Sequence, residues 1–172
     1  MIEKDKFYFL DEWESELIRF HAKQRQINKE RTRVDGLGTV SDKSGLELNY
    51  AGFAAEYIFC REMNLMPDFS VGNTSKIKGT DKYDATWNGW SVDVKCSRNI
   101  NNPMMIPKYS ICDVDIFAFF QGDETRFQFK GFATNGMVFD EKRLRHTRVL
   151  AYVLNTYDML TMDEIIFLKT KI

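Results

Sequence analysis

Hydrophobic and polar positions follow a helical period in the first third of the chain. Apolar and aromatic residues recur at helical spacing from Asp11 to about Arg33 and again from Leu46 to Met63. This spacing predicts two helices, separated by a loop over Val34 to Gly45 that carries three glycines. The stripe of the first helix expected to face the core comprises Trp13, Leu17, Phe20, His21, Gln24 and Ile27.

Shorter apolar runs predict a sheet in the second half of the chain. Val114 to Phe120 is typical of a buried strand, and Arg126 to Ala133 follows it across a turn at Gly122 to Glu124, as an antiparallel neighbour would. Further elements are predicted over Phe69–Gly72 (strand), Asp140–Arg148 (helix), Val149–Leu154 (strand) and Met162–Lys171 (helix). This order predicts the α/β class, mixed α+β, with a central mixed β-sheet flanked by helices.

A tight hairpin is predicted where Asn88-Gly89 stands between two strand-like runs, because both residues tolerate positive φ. A two-residue turn fixes the register, so Asp84 is expected opposite Asp93. Side chains alternate along a strand, which places Lys95 on the same face as these two aspartates. The core face is expected to carry Ala85, Val92 and Val94.

The opposed aspartates at positions 84 and 93 predict a bound cation. Like charges directly opposite each other destabilise a sheet, and a divalent ion with oxygen ligands would neutralise them. The residues alone leave another interpretation open, in which the hairpin is merely acidic and Lys95 pairs with Asp84 or Asp93.

Glu56 adds a third carboxylate, since it is the only charged residue between Leu48 and Cys60. A lone carboxylate on a mostly apolar helix is costly to bury unless it is paired or binds a metal. Gly52 and Ala55 beside it leave room for another element to approach closely. Taken alone, Glu56 favours a helix-edge position at which its carboxylate reaches water or a nearby arginine.

The chain has 172 residues and a formal net charge of −1, which suits a single domain over residues 1–172. Within it we distinguish an N-terminal helix and loop (1–45), a core (46–132) and C-terminal elements (133–172). No apolar run approaches the roughly 20 residues of a membrane span, so we expect a cytoplasmic protein without a membrane partner. The three cysteines lack metal-like spacing and are expected to be free thiols.

Charged residues are unevenly distributed along the chain, although the formal net charge is close to zero. An acidic segment from Met1 to Glu16 precedes a basic one from Arg19 to Arg33. A second basic cluster contains Lys142, Arg143, Arg145 and Arg148. Such runs are typical of solvated helix faces, and contact with phosphates is the competing interpretation.

The combination of Glu56 on a helix, Asp84 on a following strand and Asp93-Val94-Lys95 on the next strand resembles the motif of the PD-(D/E)XK nuclease superfamily. The resemblance covers roughly residues 46–132 and implies a restriction-endonuclease-like catalytic core behind an N-terminal helical extension. The family usually places a helix after the lysine strand. Here Asn99 to Cys112 is short and contains two prolines, so that helix must be abbreviated, distorted or displaced.

Two further positions test the fit to the motif. Tyr83 stands where the motif name has proline, which is a common relaxation. Asp81 is a rival for the first aspartate, but the predicted register places it opposite Cys96 on the wrong face, which favours Asp84.

The resemblance implies a metal-dependent nuclease that hydrolyses phosphodiester bonds, with a DNA endonuclease as the leading expectation. Asp84, Asp93 and the Val94 carbonyl would bind Mg²⁺ (or Mn²⁺). Lys95 would position the attacking water or stabilise the transition state, and Glu56 would hold a water of the metal or help bind a second ion.

Partner interactions follow less directly. DNA is the expected partner, RNA stays open, and a homodimer built on the basic first helix also stays open. The alternative function is a non-catalytic module on the same fold that binds nucleic acid or protein. Residues expected to contact a nucleic-acid backbone are Arg25, Lys29, Arg33, Lys82, Ser97 and Arg98.

Overall fold

The computed structural model describes residues 1–32, 45–69 and 83–170, with residues 28–32 described by their backbone alone. The helices in these ranges are α1 (Glu12–Thr32), α2 (Gly45–Glu62), α3 (Asn135–Val138) and α4 (Met162–Lys169). The strands are β1 (Phe7–Phe9), β2 (Ala85–Trp87), β3 (Trp90–Ser97), β4 (Met104–Pro107), β5 (Ile116–Asp123), β6 (Arg126–Thr134), β7 (Leu144–His146) and β8 (Leu150–Leu154).

Two sheets form the centre of the molecule. The larger has the strand order β1-β6-β5-β3-β2 and is mixed, because β3 and β5 are parallel whereas the other neighbours are antiparallel. The smaller is antiparallel, with the order β4-β8-β7. The protein is therefore a mixed α and β fold with a central mixed sheet, as its sequence predicts.

The two faces of the large sheet are covered differently. One face packs against α1 and α2, where Ile18 and Phe53 meet Phe120 and Phe129 in the main core. On the other face, Phe117 and its sheet neighbours pack against the small sheet. The expectation of flanking helices is thus correct for one face, while a second sheet covers most of the other. The strands of this second sheet are short, so their periodicity is weak in the sequence.

The connection from β3 to β5 carries β4 instead of an α-helix. Parallel neighbours need a crossover, and this one runs through β4 and a short 3₁₀ turn at Lys108–Ser110. The helix that the resemblance places here is therefore replaced by a strand of the small sheet.

Helix α1 begins with reciprocal capping. The Asp11 carboxylate accepts a hydrogen bond from the Glu14 backbone N–H at 2.7 Å, and the Glu14 carboxylate accepts one from the Asp11 N–H at 3.0 Å. The face that α1 buries carries Glu14, Ile18 and Ala22. The prediction that Trp13 and Phe20 face the core is wrong, since their side chains are 66% and 58% exposed.

Other elements also differ from expectation. The helix predicted over Asp140–Arg148 is a 3₁₀ turn at Glu141–Arg143 followed by β7, because pairing with β8 outweighs local helical preference. Strand β1, which the sequence analysis missed, pairs with β6. Phe69 lies outside any strand, and the rest of the strand predicted at Phe69–Gly72 falls outside the described residues.

The hairpin forms as predicted. Asn88 and Gly89 have φ angles of 50° and 80°, and Trp87 pairs with Trp90 across the turn. Val92 and Val94 face the main core. A search of the described helices finds none with the length and apolar character that crossing a bilayer requires.

Candidate active site at the edge of strand β3

Strand β3 presents an open edge beyond the hairpin. Strand β2 pairs with β3 as far as Val92, and within the described residues no strand continues this ladder past that point. The Asp84 backbone N–H donates to the Val92 carbonyl at 2.9 Å, and the Asp84 Oδ2 accepts the Val94 N–H at 2.6 Å. The Asp84 side chain thus acts as an acceptor for the strand backbone, which fixes its carboxylate at this edge.

The Val94 carbonyl points toward the same edge. Within a strand the N–H and C=O of one residue lie on the same side, and the Val94 N–H is bonded to Asp84 there. This direction is compatible with the predicted role of the Val94 oxygen as a metal ligand, which stays a prediction. The paired ladder ends at Ala85, one residue before the predicted Asp84–Asp93 pair.

Asp93 and Lys95 share a face of β3, as their spacing requires. Asp93 is buried and 9% exposed, and its Oδ2 forms an ion pair with the Lys95 ammonium. Burial alone would lower the pKa of Lys95, but the adjacent Asp93 carboxylate outweighs it, so the pKa is raised and the lysine stays charged. This ion pair is the one expected if the hairpin is merely acidic and binds no cation.

Glu56 reaches the same region from α2. Its carboxylate forms an ion pair with Arg25 of α1, whose Nη1 lies 3.1 Å from Glu56 Oε2. Burial raises the pKa of Glu56, the Arg25 and Lys95 charges oppose that rise, and the Asp93 charge adds to it. Glu56 therefore has an arginine partner, as expected for a glutamate at the edge of a helix. It also lies within electrostatic range of the β3 residues.

The carboxylates influence one another strongly. The pKa of Asp84 is raised to about 7, first by burial and then by the negative charges of Glu56 and Asp93. The hydrogen bond from Val94 and the charge of Lys95 act in the opposite direction but do not compensate. We name Glu56, Asp84, Asp93 and Lys95 the β3-edge cluster. Its negative charge exceeds what Lys95 and Arg25 supply.

The residues predicted to contact nucleic acid are placed differently from one another. Arg25 is committed to Glu56, and Arg98 forms ion pairs with Glu47 and Asp123, both at 2.8 Å. The Ser97 hydroxyl bonds to Asn99 backbone groups at the end of β3. The predictions for Lys82, Arg33 and the Lys29 side chain fall outside the described residues.

A cavity that sequence reasoning missed adjoins the cluster. Its volume is about 680 Å³, and Lys95, Gly52 and Asn102 are among its lining residues. Within the described part of the chain no element approaches Gly52, contrary to expectation: a Cβ at this position would have none of these residues within 4 Å. The glycine was the one sequence signal for open space here, because the cavity joins segments that are far apart in the chain.

The cysteines behave as expected of free thiols. None of the three forms a disulfide. Cys112 lies near the cluster, where burial and then the Asp93 charge raise the pKa of its thiol. The Cys112 thiol is thus held in its neutral form, and the metal-ligand candidates beside it are carboxylate oxygens.

Among the described residues, no group of three or more His, Cys, Asp or Glu side chains is arranged to hold a metal ion. Comparison of the chain with protein-family models, with curated proteins and with solved structures found no match.

Proposed function

We propose that this protein is a metal-dependent nuclease that hydrolyses phosphodiester bonds, with DNA as the leading substrate. The observation that carries the proposal is the β3-edge cluster, in which Glu56, Asp84 and Asp93 influence one another electrostatically and Asp93 pairs with Lys95 at an open strand edge. Strongly perturbed acidic groups beside a cavity are characteristic of functional sites.

The fold supports the proposal through the order of its elements. A helix carrying Glu56 precedes a hairpin carrying Asp84 and Asp93, and β5 then lies parallel to β3. This is the order that the resemblance to PD-(D/E)XK nucleases implies for a restriction-endonuclease-like core. Strand β4 in place of the usual crossover helix is the departure that this assignment has to accommodate.

The donor set suits Mg²⁺ or Mn²⁺. Asp84, Asp93 and the Val94 carbonyl offer oxygen ligands, and Mg²⁺ in proteins commonly takes only one or two carboxylates and keeps several waters. Burial and the nearby negative charges of Glu56 and Asp93 raise the pKa of Asp84, and a divalent cation would neutralise those charges. When bound, such a cation activates water as a nucleophile and offsets charge on the phosphate oxygens.

The remaining residues have roles set by their charge. Lys95 stays protonated beside Asp93, so it is suited to stabilise negative charge that develops on a phosphate. Glu56 is held by Arg25 at the border of the cluster, where its carboxylate is suited to orient a water molecule. Asp93 connects the proposed metal site with Lys95, because it is both a metal-ligand candidate and the ion-pair partner of that lysine.

The test is cleavage of linear, nicked, branched and single-stranded DNA, and of RNA, with Mg²⁺ or Mn²⁺. Alanine substitutions at Glu56, Asp84, Asp93 and Lys95 should each suppress cleavage, by about 10²–10³-fold for the loss of one essential electrostatic group. Glu3→Ala is the matched control, since this carboxylate is exposed and paired with Lys6 outside the cluster. Cleavage that survives Asp93→Ala contradicts the assignment.

One observation favours a second candidate, a non-catalytic module that binds nucleic acid or protein. The Asp93–Lys95 and Glu56–Arg25 pairs already give two of the three carboxylates a counter-charge. Under this alternative, Asp84→Asn and Asp93→Asn would leave partner binding intact, and no substrate in the cleavage panel would be cut.

A further inference from the structure

The 680 Å³ cavity adjoins the β3-edge cluster at Lys95, the residue of the cluster that lines it. Leu48 and Gly52 line it on the α2 side, and they share a helix face with Glu56 because the three residues are spaced four apart. On the strand side, Lys95 both lines the cavity and pairs with Asp93. Lys95 therefore stands at the junction between the cluster and the cavity.

Gly52 is the clearest sign that this space is kept open. It lies in the interior of α2, where glycine destabilises a helix relative to alanine. No neighbour requires the missing side chain, since a Cβ built at this position meets nothing within 4 Å. The glycine costs helix stability without serving the packing, so the open volume is the feature that it preserves.

The lining combines three kinds of surface. Lys95, Arg98 and Arg148 supply cations, and Asp123 supplies a carboxylate that pairs with Arg98. Hydroxyl and amide groups come from Ser97, Asn99 and Asn102, and apolar area comes from Leu48, Met104 and Phe119. The volume lies within the roughly 300–1,000 Å³ typical of small-ligand sites. A nucleotide has the matching parts, namely an anionic phosphate, a base edge with hydrogen-bonding groups and two apolar ring faces.

We infer that this cavity holds one unpaired nucleotide of the nucleic-acid strand, with its phosphate toward Lys95 and its base among the amide and apolar groups. The inference rests on the proposed nuclease function and narrows its substrate. A base inside a duplex is covered by its partner and its stacked neighbours, so only an unpaired or extruded nucleotide can enter such a cavity. The favoured substrate then has a single-stranded nucleotide at the cleavage point, as at a strand end, a flap or a loop.

The test is binding of labelled short single-stranded DNA, single-stranded RNA and blunt duplex DNA in the presence of EDTA, measured by fluorescence anisotropy. Gly52→Leu fills the cavity with a side chain that favours helix, and it should weaken single-strand binding by about tenfold, in line with the loss of one stacked base. Gly52→Ala should bind close to the parent protein. Gly136→Leu is the matched control, because a Cβ at Gly136 also meets nothing within 4 Å and this exposed residue lies outside the cavity.

Equal single-strand binding by Gly52→Leu and the parent overturns the inference, as does a parent protein that binds only the duplex. A selective loss with Gly52→Leu, with a melting temperature no lower than that of the parent, supports it, and the DNA and RNA arms identify the sugar. The assay contains no metal and measures no cleavage. If Gly52→Leu binds single strands like the parent but cleavage still depends on Asp93, the cavity inference is wrong and the nuclease proposal stands. If Gly52→Leu weakens single-strand binding but no substrate is cleaved, the nuclease proposal is wrong and nucleotide binding in the cavity stands.

Discussion

Buried carboxylates occur in two regions of the molecule, and their charges are balanced in different ways. Glu14, 9% exposed at the start of α1, accepts hydrogen bonds from Arg61 at 2.7 and 2.9 Å, from the Tyr57 hydroxyl at 3.1 Å and from the Asp11 N–H at 3.0 Å. Both of its oxygens are occupied by donors. Arg61 also pairs with Glu62 at 3.1 Å, so two carboxylates share this arginine, but the charge of Glu14 is balanced by donors on both of its oxygens.

The β3-edge cluster lacks this balance. Its three carboxylates share Lys95 and the more distant Arg25, and burial together with the negative charges of Glu56 and Asp93 raises the pKa of Asp84 to about 7. A region that only stabilised the fold would gain nothing from opposed carboxylates. This contrast with Glu14 is a reason for proposing a structural role for the balanced region and a chemical role for the unbalanced one.

The largest stability effect should come from breaking the balanced region. Glu14→Ala removes the 2.7 Å ion pair of Arg61, which keeps Glu62, and one of the two reciprocal capping bonds of α1. It should destabilise the protein by about 3 kcal/mol, from about 1 kcal/mol for the capping bond and about 2 kcal/mol for the charged hydrogen bonds. Chemical denaturation measures this loss. Glu3→Gln, which breaks the exposed pair with Lys6, should leave the midpoint almost unchanged. If Glu14→Ala and the parent have the same denaturation midpoint, Glu14 does not stabilise the fold and the contrast with the β3-edge cluster is wrong.

A smaller effect of opposite sign is expected for Asp84→Asn. The native state holds a proton on Asp84 up to about pH 7, whereas the unfolded chain loses it near the ordinary value of 3.8, so the parent loses stability as pH rises through this window. Asparagine keeps an acceptor for the Val94 N–H but carries no charge. The variant should gain about 1–2 kcal/mol at pH 8 and nothing near pH 3.

Thermal melts of both proteins from pH 3 to pH 8 measure this difference. A gain that is equal at every pH would show that charge repulsion is not its cause.

Local patterns in the sequence were enough for the hairpin and for the neighbouring side chains along β3. Asn88-Gly89 determines the register through backbone conformation alone, and alternation along β3 places Asp93 beside Lys95. Glu56 stood out because its neighbours are uncharged. These predictions depend on residues within a few positions of one another, where spacing and geometry are directly linked.

Features that depend on distant segments were not predictable. Arg25 meets Glu56 from another helix, 31 residues away in sequence. The cavity is formed by α2, the end of β3 and β4. The relative placement of these elements produces no periodic pattern in the sequence. The helix expected over Asp140–Arg148 failed for a related reason, since pairing of β7 with β8 determines its conformation. Trp13 and Phe20 are exposed because α1 buries a different stripe.

The central claim is that the unbalanced carboxylates form a divalent-cation site. Isothermal titration of Mn²⁺ at pH 8, where Asp84 is ionised, tests it without knowledge of the substrate. The parent protein should bind Mn²⁺, and Glu3→Gln should bind it equally well. The double variant Asp84→Asn with Asp93→Asn should lose this binding while remaining folded. Binding of Mn²⁺ by the double variant with the affinity of the parent would contradict the account.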